Sequence, residues 1–199
     1  LAGLPGVIYT PSAGTGLPAI AFAHGWMTGA SHYDSTLRHL ASWGIVVVAP
    51  NTQRGPVPSH SALAQDLLVA LDVCTGIRLG TGDISVHPAK LGLVGHSMGA
   101  GAAVIAAAQR SGVAALGALY PAPTSPRALS PGIADAVTAP ALVLGSPSEL
   151  NSLTAEPVAL ADALGGPTLL RVIDKSEGDG MVEGRKLLSF LGVGNAQPK

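Results

Sequence analysis

Short apolar runs alternate along the chain with stretches of helical period. The runs at 7–9, 19–23, 45–49, 91–94, 114–120, 141–145 and 168–173 have strand length, and most are bounded by Gly or Pro. Ile45, Val46, Val47, Val48 and Ala49 form a continuous, largely β-branched run, the pattern of a parallel strand covered on both faces. Between the runs, 31–42 places Tyr33, Leu37, Leu40 and Ala41 on one helical face, with Ser31 as its N-cap and Gly44 as its stop. The stretch 62–75 repeats Leu63, Leu67, Ala70, Leu71 and Cys74 at helical spacing and opens at Ser59 or Ser61. Further helices are predicted over 100–110, 157–164 and 181–191. Residues 76–88 read as a long connection, 121–131 as a proline-rich loop and 192–199 as a frayed tail. No internal repeat and no linker divides the chain, so 1–199 is expected to form a single domain. Alternating strands and helices imply an α/β fold with crossover connections and a mostly parallel sheet covered on both faces. In such sheets functional groups gather at the strand carboxyl ends. Ser97, the loop from His24 to Gly29, and the loops after Gly145 and Ile173 would share that rim.

Composition sharpens this only in places. Hydrophobic residues make up 47% of the 199 and charged residues 12%, which excludes a disordered chain. Aromatics are only 4%, so the core must be built mostly from Ala, Val, Leu and Ile. Net charge is −1 with no basic block, which argues against nucleic acid as a partner. Purely apolar runs are too short for a membrane span. Cys74 is the one cysteine, so no intrachain disulfide is possible and the thiol reads as buried filler. The chain opens at Leu1 without Met or a signal peptide, as a mature or trimmed form would.

One stretch carries chemistry. Gly95-His96-Ser97-Met98-Gly99 follows the run 91–94 and precedes the small-residue helix 100–110. A G-x-S-x-G between strand and helix is the setting of a nucleophile elbow. Its serine sits on a sharp turn, and side chains at Gly95 or Gly99 would clash. A serine there needs a base to take its proton, a group to orient that base, and donors for the developing oxyanion. The expected donors are the Met98 amide at the helix N-terminus and the Trp26 amide in the glycine-rich loop after 19–23. The Trp26 indole would add a flat apolar wall. No histidine–carboxylate pair has ligand spacing, so no metal is expected, and the glycine-rich loops lack a nucleotide-binding pattern, so no cofactor is expected.

With those residues the chain resembles the α/β-hydrolase family, in its lipase, cutinase and polyester-hydrolase branch near the dienelactone-hydrolase-like esterases. The resemblance rests on four stretches. These are 17–45, with His24-Gly25-Trp26 and Leu40-Ala41-Ser42-Trp43-Gly44; 46–52; 87–99, from His87-Pro88 through the serine motif; and 140–145. It covers most of 7–165. It implies an α/β-hydrolase fold without a large lid, with the family's first strands missing. It implies Ser97 as nucleophile, Trp26 and Met98 as oxyanion donors, and an acid a few residues past Gly145, which falls on Glu149. Glutamate is an accepted form of that acid. The implied substrate is a small or polymeric carboxylic ester, and the family resemblance is compatible with secretion. Oligomeric state is left open.

One departure stands against it. The family's base is a histidine in the loop after the last strand, and its place falls near Gly178. That loop reads Asp174-Lys175-Ser176-Glu177-Gly178-Asp179-Gly180. All six histidines (His24, His32, His39, His60, His87, His96) precede Ser97. His24 lies on the correct rim but is expected to brace its loop, and His96 is expected to point away from the reacting face. Glu177 and Asp179 would be poor bases unless burial raised their pKa. Two expectations follow: a weak serine esterase working through an acyl-enzyme, or a hydrolase-fold protein that binds without turnover.

Overall fold

Seven strands form one sheet in the order β1-β3-β2-β4-β5-β6-β7. The computed structural model describes residues 3–122, 132–147, 156–174 and 181–183. In chain order the strands are β1 (Gly6–Tyr9), β2 (Gly14–Ala23), β3 (Val46–Pro50), β4 (Ile84–His96), β5 (Ala115–Leu119), β6 (Ala141–Gly145) and β7 (Thr168–Val172). Only β1 runs antiparallel, against β3; every other pairing is parallel. The fold is therefore the mostly parallel α/β arrangement that the alternating pattern implied, and it agrees with the α/β-hydrolase expectation.

The helices follow the hydrophobic spacing. A short 3-10 turn at Ala30–Tyr33 leads into α1 (Asp34–Ser42); α2 is His60–Gly76, α3 is Met98–Gln109 and α4 is Glu156–Ala163. The Ser59 hydroxyl accepts the Ala62 amide and caps α2 as expected, an interaction worth about 1 kcal/mol. Ser31 does not cap α1. The chain enters through the 3-10 turn, whose N-cap is Gly29, and makes no side-chain cap there. Leu63, Leu67, Leu71 and Cys74 of α2 are fully buried against the sheet together with α3. Each such leucine contributes roughly 1.5–3 kcal/mol through burial. The residues of α3 from Met98 to Ala107 are all buried, and most are Ala or Gly. Small side chains let this helix lie close beneath β4 and β2. The opposite face carries a second cluster, in which Phe22, Tyr33, Leu37, Val47 and Val182 pack together.

The connection read over 76–88 is only half a connection. β4 begins at Ile84, pairing Ile84 with Gly14 and Val86 with Leu17 before the register shifts and resumes at Leu91 opposite Ala19. Ile84 and Val86 are buried, and polar residues alternate with them, which is a strand pattern. Pro88, which has no amide to donate, falls inside the shifted stretch and hid the strand in the sequence. His87 thus sits on β4 rather than in a loop, and its Nδ1 accepts the Ala89 amide at 3.1 Å. Most of the predicted loop 121–131 and helix 181–191 lies outside the described residues. Among the described residues no helix is long and apolar enough to cross a membrane.

Candidate active site

β4 ends at His96, and α3 starts at Met98. Ser97 alone makes the turn, at φ 55° and ψ −120°. A non-glycine residue held there costs about 1–3 kcal/mol, so its surroundings must hold it. They do so through the backbone. The Ser97 amide donates to the Leu119 carbonyl of β5 at 2.9 Å, and the Ser97 carbonyl accepts the Ala100 amide at 3.0 Å.

The flanking glycines are required by contact. A Cβ on Gly95 would lie 2.0 Å from the Gly99 carbonyl oxygen, and one on Gly99 would lie 2.3 Å from the Ala23 carbonyl oxygen. These obstacles are backbone, so no side-chain rotation relieves them. The second contact also joins the first turn of α3 to the end of β2, where the glycine-rich loop begins.

That loop is tied down residue by residue. Ala23 pairs with Gly95, so the loop leaves the sheet beside the serine turn. A Cβ on Gly25 would sit 3.5 Å from the Ser97 Cβ. The Gly25 amide donates to the Tyr33 hydroxyl at 2.9 Å. Its carbonyl accepts the Thr28 hydroxyl at 2.8 Å and lies 2.9 Å from His24 Nδ1. In a planar trans peptide the N–H points opposite to the C=O. Pinning the Gly25 carbonyl therefore also fixes the direction of the Trp26 amide.

The loop after β3 supports it from behind. His24 is fully buried, and its Nε2 lies 2.7 Å from the Thr52 carbonyl. Both ring nitrogens thus face carbonyl oxygens, and whichever carries the proton donates to one of them. The Asn51 side chain accepts the Ala30 amide at 3.2 Å. The Trp26 indole donates to the Pro56 carbonyl at 3.0 Å. Trp26 is nonetheless 46% exposed, beside Met27 at 54%, so apolar surface is presented at the rim.

Of the residues singled out in the sequence, Ser97, Met98 and the Trp26 loop come together at the carboxyl edge. Met98 is buried at the start of α3, and Ser97 is partly exposed. Glu149 lies outside the described residues, as do Glu177, Gly178 and Asp179. Ser146, the residue after β6, is fully buried at the same edge. Five histidines have identifiable partners. His24 clamps its loop, and His32 Nδ1 accepts the Gly29 amide. His39 accepts the Trp43 indole N–H, His87 holds Ala89, and His96 Nδ1 lies 2.8 Å from the Tyr33 hydroxyl. His60, at the first position of α2, is half-buried, and its pKa is lowered by that burial. Among the described residues no group of three or more His, Cys, Asp or Glu could hold a metal ion.

Two participants were not visible beforehand. Tyr33 read as one more apolar position of a helix, and Thr28 as a loop residue. Each acts on Gly25 across a turn, and no local spacing signals that.

Residues 2–119 match the family described as Chlorophyllase, a stretch that includes both loops and Ser97. Lipase 1 of Moraxella sp. (strain TA144) is 36% identical over 123 residues, which cover 58% of this chain. The chain spans only 36% of the length of that curated relative.

Proposed function

The chain belongs to the chlorophyllase family, within the lipase- and esterase-like α/β-hydrolases, and on that premise we propose that it is a serine hydrolase of carboxylic esters. The observation that carries this reading is the Ser97 turn, with φ 55° and flanking glycines that tolerate no Cβ. A strained serine between a central strand and a buried helix is the geometry of a nucleophile elbow. Ser97 Oγ attacks the ester carbonyl, forming a C–O bond while its proton passes to solvent water. The oxyanion that develops is met by the Met98 amide at the positive end of α3 and by the Trp26 amide. Collapse of this intermediate breaks the bond to the alcohol, which departs with a proton taken from water. Water then hydrolyses the acyl-enzyme. Glu149 stands at the position of the carboxylate that, in this family, orients the base. The exposed faces of Trp26 and Met27 suit the apolar part of a neutral ester, small or polymeric.

Turnover is slow in this scheme, because the loop after β7 has no histidine to take the proton. In serine hydrolases loss of the base lowers kcat by about 10⁶, while the oxyanion donors and binding retain roughly 10³–10⁴ over water. The same observation favours a second reading, a hydrolase-fold protein that binds carbonyl compounds without turning them over. Hydrolysis of p-nitrophenyl esters separates the two. Turnover above that of Ser97→Ala supports the enzyme. Rates equal to the variant's, with ester binding retained, support the binding protein.

A further inference from the structure

Tyr33 is fully buried at the end of the 3-10 turn, with its ring 4.9 Å from that of Phe22 and 5.6 Å from that of His96. Its hydroxyl oxygen lies 2.9 Å from the Gly25 amide nitrogen and 2.8 Å from His96 Nδ1. Gly25 belongs to the glycine-rich loop, and His96 immediately precedes Ser97. One phenol therefore joins the two elements that would hold an oxyanion. A backbone N–H can only donate, so the Tyr33 oxygen accepts from Gly25. That leaves its proton free to be given to His96 Nδ1, 2.8 Å away, a contact whose direction is set by the tautomer of His96. We propose that Tyr33 is a positioning residue that locks the Gly25 loop to the serine turn and holds His96 as the Nε2–H tautomer.

The arrangement leaves little play. The Gly25 amide is held by Tyr33 and the Gly25 carbonyl by Thr28, so the peptides on both sides of Gly25 are fixed. A Cβ on Gly25 would stand 3.1 Å from the Tyr33 oxygen and 3.3 Å from His96 Nδ1, which shows how closely the three groups meet. Preorganised donors cost no reorganisation when charge develops, and a displacement of about 1 Å can reduce a rate by roughly 10². Tyr33 touches no reacting atom in this scheme. It acts through the loop, and its kinetic consequence rests on the proposed ester hydrolysis.

Tyr33→Phe keeps the ring and removes the oxygen. Two readouts do not need activity. In the wild type, ¹⁵N spectra of labelled histidine are expected to show His96 Nδ1 unprotonated and Nε2 protonated. In Tyr33→Phe that preference is lost, and hydrogen exchange at the Gly25 amide accelerates at least tenfold. The third readout is kinetic: kcat for a short p-nitrophenyl ester falls about tenfold or more, with KM within about twofold. A protonated Nδ1 in the wild type overturns the proposal whether or not the variant folds. So does unchanged Gly25 exchange, or an unchanged kcat where the wild type shows Ser97-dependent turnover. A wild type without such turnover defeats the hydrolase reading instead, and the spectra then decide the role of Tyr33 alone.

Discussion

Gly99→Ala adds one methyl group where two backbones meet. The new Cβ would stand 2.3 Å from the Ala23 carbonyl oxygen, 2.6 Å from the Ala23 carbonyl carbon and 2.6 Å from the His24 carbonyl oxygen. Ordinary carbon–oxygen contact needs well over 3 Å, about 3.3 Å even in a weak C–H···O approach, so the first turn of α3 must move about 1 Å from β2. Neither side yields easily, since β2 is paired on both edges and α3 is buried along its length. Overpacking of this kind costs about 1–3 kcal/mol. The displacement also separates the Met98 amide from the Trp26 loop, so reaction at Ser97 should slow by about 10². Gly76→Ala is the matching control. Gly76 ends α2 with open space around its Cβ position, and alanine there should add up to about 1 kcal/mol. Urea titration of the three proteins would show the midpoint falling for Gly99→Ala and holding or rising for Gly76→Ala, with m unchanged. Equal midpoints for wild type and Gly99→Ala would refute the packing argument.

The Cys74 thiol, fully buried with its pKa pushed up to about 11 by desolvation, should resist a disulfide reagent at pH 8 in the native protein and react promptly in urea; prompt native reaction would contradict the burial. His60 has a lowered pKa in the folded state, and its Nε2 has no hydrogen-bond partner among the described residues. The unfolded chain therefore binds the proton more readily, so stability is fully present above the unfolded value of 6.5 and is lost as pH falls below it. Urea midpoints at pH 7.5 and 5.5 should diverge more for the wild type than for His60→Gln, and parallel profiles would contradict the assignment. Gly178→His places an imidazole where the family's base falls, and Ser97-dependent ester turnover should rise at least about tenfold, a small part of the ~10⁶ that a well-placed base supplies. A flat response would mean that the alignment of that loop is wrong.

Much of this architecture is legible in the chain because its signals are local. Continuous runs such as 45–49 mark buried parallel strands, and the spacing of Leu63, Leu67, Leu71 and Cys74 marks α2. The serine motif announces its own turn, since only glycine fits beside it. Pro88 breaks the strand pattern within β4, while pairing with Gly14 and Leu17 keeps the strand intact. The 3-10 entry to α1 has no local signal, because Ser31 is a cap by residue type while the turn starts at Gly29, where a Cβ would stand 2.5 Å from the Asn51 side-chain oxygen. Tyr33 could not be found from spacing, because its importance lies in one oxygen placed between Gly25 and a histidine 63 positions away. Tertiary hydrogen bonds of that kind have no period.

The central claim is that Ser97 is a nucleophile set beside oxyanion donors, slow because no histidine takes its proton. A fluorophosphonate probe followed by peptide mass mapping tests it directly, because phosphonylation of a serine draws on the same donors. Covalent phosphonylation of Ser97, abolished in Ser97→Ala and slowed in Gly99→Ala, is the expected result. A chain that remains unlabelled at Ser97 after prolonged incubation, while its fold is intact, would contradict it.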